Sequence, residues 1–419
     1  MTQKAYDWKN GAIYEDHTRK KHKVYRQYLR EYLATRCQSP YQSRFRLVLV
    51  EAFAGGGRYA CGSPGSPLIF VEELCNSTTE INVQRARQGL KPVLIECLLL
   101  LNDDDAEAIE LLKGNLTPLL AKAKDDTPLL NVEVEYTSEK FEHLYLPLVE
   151  RIQRASCRSV MFILDQCGYN GVSGQVIADI MTRWRSAEVF LTFAVQTLLS
   201  FLTSKNDFGG LAFDPALRER MRALNADSTG LLTKQEWMGS AEQIVHAYFR
   251  SCAPYVSPFS INNPGGWRYW LMHFANAHRA RQVYNDLLHK DSTVQAHFGR
   301  SGLRMLSYDP TDECRLYLFD DDSRESARDA LGDEIPSLLA ENGDAMTMSD
   351  FYESAYSETP AHTDDIHDMI IENPDLEVIT EAGGSRRSPR AIRQSDTLRL
   401  KSQRSMYFMF DGKKMSDKK

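Results

Sequence analysis

The 419-residue chain has no pair of cysteines at metal-ligating or redox spacing: its eight cysteines, at 37, 61, 75, 97, 157, 167, 252 and 314, are scattered without a CxxC. That excludes a zinc ribbon or finger and a disulfide framework, and it suits a reducing, cytoplasmic compartment with no structural metal. Long apolar runs are missing too. The longest, Val189 to Leu202, falls short of the roughly 18–20 residues that cross a bilayer and carries Thr192, Gln196, Thr197 and Ser200, so no membrane segment is expected. The opening MTQKAYDWKN holds no apolar stretch of the secretory kind. A global positive field is also absent. Fifty Lys and Arg stand against 57 Asp and Glu, a net charge of -7, so any contact with nucleic acid must be local. What is present, 42% hydrophobic and 26% charged residues, is an ordinary globular composition long enough for two to three domains.

Residues 17–34 place Val24, Tyr25, Tyr28, Leu29, Tyr32 and Leu33 on one face of a helix and Arg and Lys on the other. The basic run Arg19, Lys20, Lys21, His22, Lys23 reads as a solvated face, with a phosphate contact as the alternative. From Phe45 the pattern changes to aliphatic strands that end in polar turns. FRLVLV runs into EAFAGGG, Val93 to Leu101 into Asn102-Asp103-Asp104-Asp105, Val132 to Tyr136 forms a shorter strand, residues 159–164 run into Asp165-Gln166-Cys167-Gly168, and EVFLTFAV follows at 188–195. Strands alternating with helical segments at this spacing predict a doubly wound, Rossmann-like α/β sheet whose ligand crevice lies at the carboxyl ends of the strands. Residues 201–266, with a helix over 234–251 and the turn-rich SPFSINNPGG, read as an inserted helical subdomain or lid. A last strand over 267–275 and a helix over 278–288 return to the sheet, so the Rossmann-like domain comprises 1–200 and 267–318.

Three turns carry the candidate chemistry. In Glu51-Ala52-Phe53-Ala54-Gly55-Gly56-Gly57 the glycines allow a tight turn against a bound nucleoside, and the acid at the strand end can hold a cation or a hydroxyl. The spacing departs from GxGxxG and suits the acidic loop that class I methyltransferases set beside the ammonium group of S-adenosylmethionine (SAM). Phe53, Gly55 and Gly57 are cofactor-binding candidates with Glu51. Asp103 is the candidate for both ribose hydroxyls, which need a bidentate acceptor, while Asp104 and Asp105 suit a helix cap. Asp165, Gln166 and Tyr169 at the end of the fourth strand occupy the place where a methyl acceptor is oriented, a task of positioning more than proton transfer. A thiolate role for Cys167 lacks the partners that ring methylation would need.

The acids between Asp320 and Asp344 predict a solvated connector over 319–345. Beyond it, helical patterns at 348–356 and 363–372, a strand at 376–380 and another at 406–410 enclose GGSRRSPRAIRQSD, the order of a small winged-helix-like domain over 346–419. From Ser385 onward eleven Lys and Arg face three Asp, and Arg386, Arg387, Arg390 and Arg393 are the candidate nucleic-acid contacts.

Taken in order, KHKVYRQYL, VLVEAFAGGGRY with GSPGSPLIFVEEL, FILDQCGYNGVS, EVFLTFAV and YWLMHFANAHRARQVYNDLL resemble the three-Cys-motif partner protein family (TcmP) over roughly residues 1–290. The resemblance implies a class I, SAM-methyltransferase-like domain from bacteria or their phages that works beside a three-cysteine, radical-SAM-like protein, with phage defence as a plausible setting. Glu51 stands where the family has Asp. Gln166 and Cys167 replace its Pro and Phe, which removes a rigid turn and a stacking ring from the loop. Two readings follow: a SAM-dependent methyltransferase acting on nucleic acid or a nucleotide-like substrate, or a scaffold that kept the fold, lost the chemistry and binds nucleic acid or protein through its basic end.

Overall fold

The computed structural model describes residues 7–166, 171–194, 217, 219–220, 222–223, 244–262, 268–290, 295–298, 316–317, 321–357, 359 and 361–401. Helix α1 (Asp16–Arg36) precedes β1 (Arg44–Glu51). Then α2 (Ser66–Arg87), β2 (Leu94–Asn102), α3 (Ala106–Asp126), β3 (Leu130–Thr137), α4 (Phe141–Ala155), β4 (Ser159–Leu164), α5 (Gly174–Arg183) and β5 (Ser186–Phe193) alternate. These five strands are parallel in the order β3-β2-β1-β4-β5. Strand β7 (Arg268–Ala275) runs antiparallel beside β5, and β6 (Tyr255–Asn262) runs antiparallel beside β7. Strands β8 (Gln295–Phe298) and β9 (Leu316–Tyr317) complete a nine-stranded sheet. The order 3-2-1-4-5-7-6 with the seventh strand reversed is that of the class I methyltransferase fold, and the doubly wound Rossmann-like sheet is the one the sequence pattern predicts.

Both faces of the sheet are covered, which is why its strands read as continuous apolar runs. Val48, Val50, Leu98 and Leu100 face Phe141, Leu148 and Ile152 of α4 and Ile177 of α5. Leu47, Leu49, Leu99 and Leu101 face Tyr25 and Leu29 of α1, Phe70 and Leu74 of α2, Leu112 of α3, and Tyr284 and Leu288 of α6 (His278–His289). One expectation fails here. The composition of SPFSINN predicts turns within an insertion, yet Tyr255–Asn262 is a sheet strand with Val256, Phe259 and Ile261 buried, so the insertion ends before Tyr255. Pro258 is accommodated because β8 pairs only with Ser260 and Ile261, so at Pro258 the strand is paired on the β7 side alone among the described residues, and tertiary burial overrides a local turn composition. Of the expected insertion over 201–266, residues 201–216, 218, 221, 224–243 and 263–266 lie outside the described residues.

The C-terminal unit runs α7 (Asp321–Glu341), β10 (Ala345–Thr347), α8 (Met348–Ala355), α9 (Thr363–Glu372), β11 (Leu376–Ile379) and β12 (Thr397–Leu400). Its strands form an antiparallel sheet in the order β10-β12-β11. Helix, strand, two helices and a ribbon make a winged helix, with two differences from the expected one. The segment expected to be a solvated connector is α7, and its Leu331, Ile335 and Leu339 pack with Phe351, Ile366, Ile370 and Val378. Its acids occupy the outer face while the apolar residues recur at helical spacing. The ribbon closes through Thr397–Leu400, where Val378 faces Leu398; the strand expected at 406–410 lies outside the described residues.

Candidate functional site

Three neighbouring strands deliver three acids to one end of the sheet: Glu51 closes β1, Asp103 follows β2 and Asp165 follows β4. The chain turns back between β1 and β4, and the crevice at such a switch point is where open α/β sheets bind ligands. The β1 loop is tied on both sides. Ala52 N–H donates to Ile163 O at 3.1 Å, Ala54 N–H to Asn102 O at 2.7 Å, and Asn115 Nδ2 to Gly56 O at 2.8 Å. Gly55 and Gly57 hold φ of 62° and 83°, where a side chain is strained. A Cβ on Gly55 would sit 2.2 Å from the Trp8 ring, and one on Gly57 would sit 2.8 Å from Leu112. Gly55 and Gly56, where a Cβ would sit 2.2 and 3.0 Å from the Trp8 ring, thus have a role within the chain itself: they leave room for Trp8 against the loop.

Glu51 is fully buried. Ser66 Oγ–H donates to its Oε1, and Oε2 has no partner among the described residues. Burial pushes its carboxyl well above the usual carboxylate range; the Ser66 hydrogen bond opposes this and the charge of Asp165 adds to it. A buried acid with one open oxygen is the natural place for a cationic or hydroxylic ligand. Asp103 Oδ2 accepts Gly55 N–H at 2.8 Å and Oδ1 accepts Asp105 N–H at 3.1 Å. Burial raises its pKa against those two hydrogen bonds, and each oxygen keeps a lone pair. Asp105 caps α3 by accepting Glu107 N–H, as its position predicts. Phe53 is half-buried, its ring 5.9 Å from that of Phe141.

At β4 the arrangement departs from the expectation. Asp165 is ion-paired with Lys21 of α1 and does not stand alone before an acceptor. Burial pushes the Asp165 carboxyl up, but the charge and N–H of Lys21 outweigh it and hold the group below the usual range. Lys21 and His22 belong to the basic run expected on the solvated face of α1, yet both are buried. Burial, with the adjoining Lys21 charge, depresses His22 to about 3, and its Nδ1 lies 3.2 Å from Tyr14 Oη. Their signal is faint but present, since Lys21 and Tyr25 are four apart and share the buried stripe. Gln166 is buried and holds the backbone, its Oε1 accepting Gly171 N–H at 2.7 Å and Val172 N–H at 3.0 Å. Tyr169 lies outside the described residues, as does Cys167.

The four arginines divide. Arg386 is locked to buried Asp396 by Nε at 2.9 Å and Nη2 at 3.0 Å, so it shapes the wing and is not a free cation. Arg387, Arg390 and Arg393 are exposed in the loop between β11 and β12. The helix before the ribbon, α9, is the element that enters the groove in helix-turn-helix proteins. Here it carries Asp364, Asp365, Asp368 and Glu372, and Arg324 and Arg328 of α7 hold Asp365. Thr363 at its start donates from N at 3.0 Å and from Oγ1 at 2.9 Å to Asp286 of α6. Its first turn is therefore docked on the Rossmann-like domain, and its charge has the wrong sign for a phosphate groove.

Comparison with known proteins bears on both units. No curated protein matches the chain. A solved structure from Klebsiella pneumoniae, described as that of a proposed O-methyltransferase, aligns with 59% of this chain and 80% of its own at 12% identity and a TM-score of 0.25, and the fold is therefore read from the strand order itself. Residues 307–383 match the family described as the GMT-like wHTH domain, which includes α7 and extends from before it into the wing.

Proposed function

We propose that the chain is a SAM-dependent methyltransferase of the three-Cys-motif partner type, acting on a nucleic acid or nucleotide-like substrate beside a three-cysteine partner protein. The observation that supports this best is the open Oε2 of buried Glu51 at the switch point of a class I methyltransferase sheet, with Asp103 and Asp165 on the flanking strands. The donor set suits the cofactor: Glu51 would face its ammonium group, and Asp103, with lone pairs to spare, its ribose hydroxyls. SAM supplies an electrophilic methyl group. The protein's part is to position the acceptor and exclude water, with the Lys21–Asp165 pair fixed at the mouth of β4. Contact with a polynucleotide falls to Arg387, Arg390 and Arg393 of the wing, since α9 is acidic and docked.

Calorimetric titration with SAM tests the reading. Saturable binding is expected in the wild-type protein and should be lost in Glu51→Ala; absence of binding in the wild type sinks the proposal. The second reading, a scaffold without chemistry, is favoured by the internal commitments of Asp165 and Gln166. Asp165→Asn separates the two, because it should abolish tritium transfer from labelled SAM to DNA, RNA or cell extract while sparing SAM binding in an enzyme.

A further inference from the structure

At the opposite end of the sheet from the Glu51 loop, a cavity of about 300 Å³ opens between the last turn of α1, the start of β5 and the first turn of α6. Three arginines from these three elements line it: Arg36, Arg185 and Arg279, all exposed. None makes an ion pair with a carboxylate at contact distance among the described residues, although the charge of Arg279 is felt by Asp286. Arg36 Nη2–H donates to Ser159 Oγ at 2.7 Å, and its guanidinium lies 6.0 Å from the centre of the Tyr32 ring. Arg279 Nη1–H donates to Gln282 Oε1 at 2.7 Å, and Arg185 has no hydrogen bond or ion pair among the described residues. The one acid in the lining, Glu188, is buried and already engaged: it accepts the Tyr28 hydroxyl and lies 3.1 Å from His273 Nε2.

Three like charges converging on one cavity repel one another and gain from an anion that bridges them, and guanidinium forks match phosphate oxygens in number and geometry. We propose that this cavity is a phosphate-binding site, separate from the Glu51 loop and independent of the methyltransferase reading. The phosphate has two chemical sources, a free phosphorylated metabolite or a polynucleotide backbone. The second draws on the neighbourhood, since Gln394 of the wing loop lies 3.3 Å from His278 at the start of α6 and brings the basic wing up to the residue beside Arg279.

Inorganic pyrophosphate titrated calorimetrically into the full chain tests the site. Saturable binding is expected, weakened at least about tenfold in Arg185→Ala/Arg279→Ala. It should be unchanged in Arg87→Ala/Lys91→Ala, which removes two exposed cations outside the cavity, and in the wild type it should fall as salt is raised. Thermal melting of both double variants should match the wild type, because every substituted side chain is exposed. No saturable binding, or equal affinity in the two double variants, overturns the proposal. Displacement of pyrophosphate by a nucleoside monophosphate identifies a metabolite as the source; displacement by a single-stranded oligonucleotide but not by the monophosphate identifies the backbone of a nucleic acid.

Discussion

Glu51 shows how one residue couples stability to pH. Its carboxyl is raised above the roughly 4.3 of an unfolded chain, so folding favours the protonated form. The stability this contributes is fully present below the unfolded pKa and is lost as pH rises through the folded pKa. A glutamine reproduces the neutral state at every pH and keeps an oxygen for the Ser66 hydroxyl. Glu51→Gln should therefore melt higher than the wild type at pH 8, with the difference shrinking toward pH 5; a difference independent of pH would show that Glu51 is not held neutral. The same coupling acts on ligand binding. If a cation enters beside Oε2 the carboxylate must form, so SAM affinity should rise with pH up to the folded pKa by as much as about tenfold per unit. Calorimetry in buffers of different ionisation enthalpy should register one proton released.

At the scale of elements, α1 brings chemistry to a sheet it does not belong to. Its Lys21 is the partner of Asp165, and removing one member of a buried pair leaves the other charge uncompensated. Lys21→Met should cost about 3–5 kcal/mol in urea unfolding, whereas Lys21→Met/Asp165→Leu should recover much of that loss. Additive losses would mean that the two side chains do not interact. Strand β6 and Lys21 also mark where the sequence stops being legible. The alternating strands, the glycine loop, the three acids and the late strand beside β5 are readable because burial on both faces writes apolar runs and turns write glycine and aspartate. Lys21 is not, because a basic run on a helix reads as solvated unless its partner, distant in sequence, is known. Strand β6 is hidden by Pro258 and the asparagines after it, and α7 by acids on its outer face that outnumber the apolar residues of its stripe.

At the scale of the whole molecule, the winged helix is built into the methyltransferase-like domain. Arg281 and Asn285 of α6 donate to Thr359 O at 3.4 and 3.0 Å, Gln282 Nε2 donates to Thr363 Oγ1 at 2.8 Å, and Tyr255 joins the C-terminal core. These buried polar contacts specify one docking geometry, since each would be left unpaired in another. A unit held in this way presents its wing at a fixed place, and its cations act together. Arg387→Ala/Arg390→Ala/Arg393→Ala should weaken binding to an oligonucleotide and flatten the dependence of log K on log salt by about 0.9 for each duplex phosphate the wing no longer neutralises. Arg386→Ala should behave differently, because it strips Asp396 of its bidentate partner inside the wing. Its expected signature is faster hydrogen exchange over residues 376–400, with loss of binding following from a disordered wing. A triple variant that bound with an unchanged salt slope would assign the exposed arginines to solvent and leave the C-terminal unit as a protein-docking module.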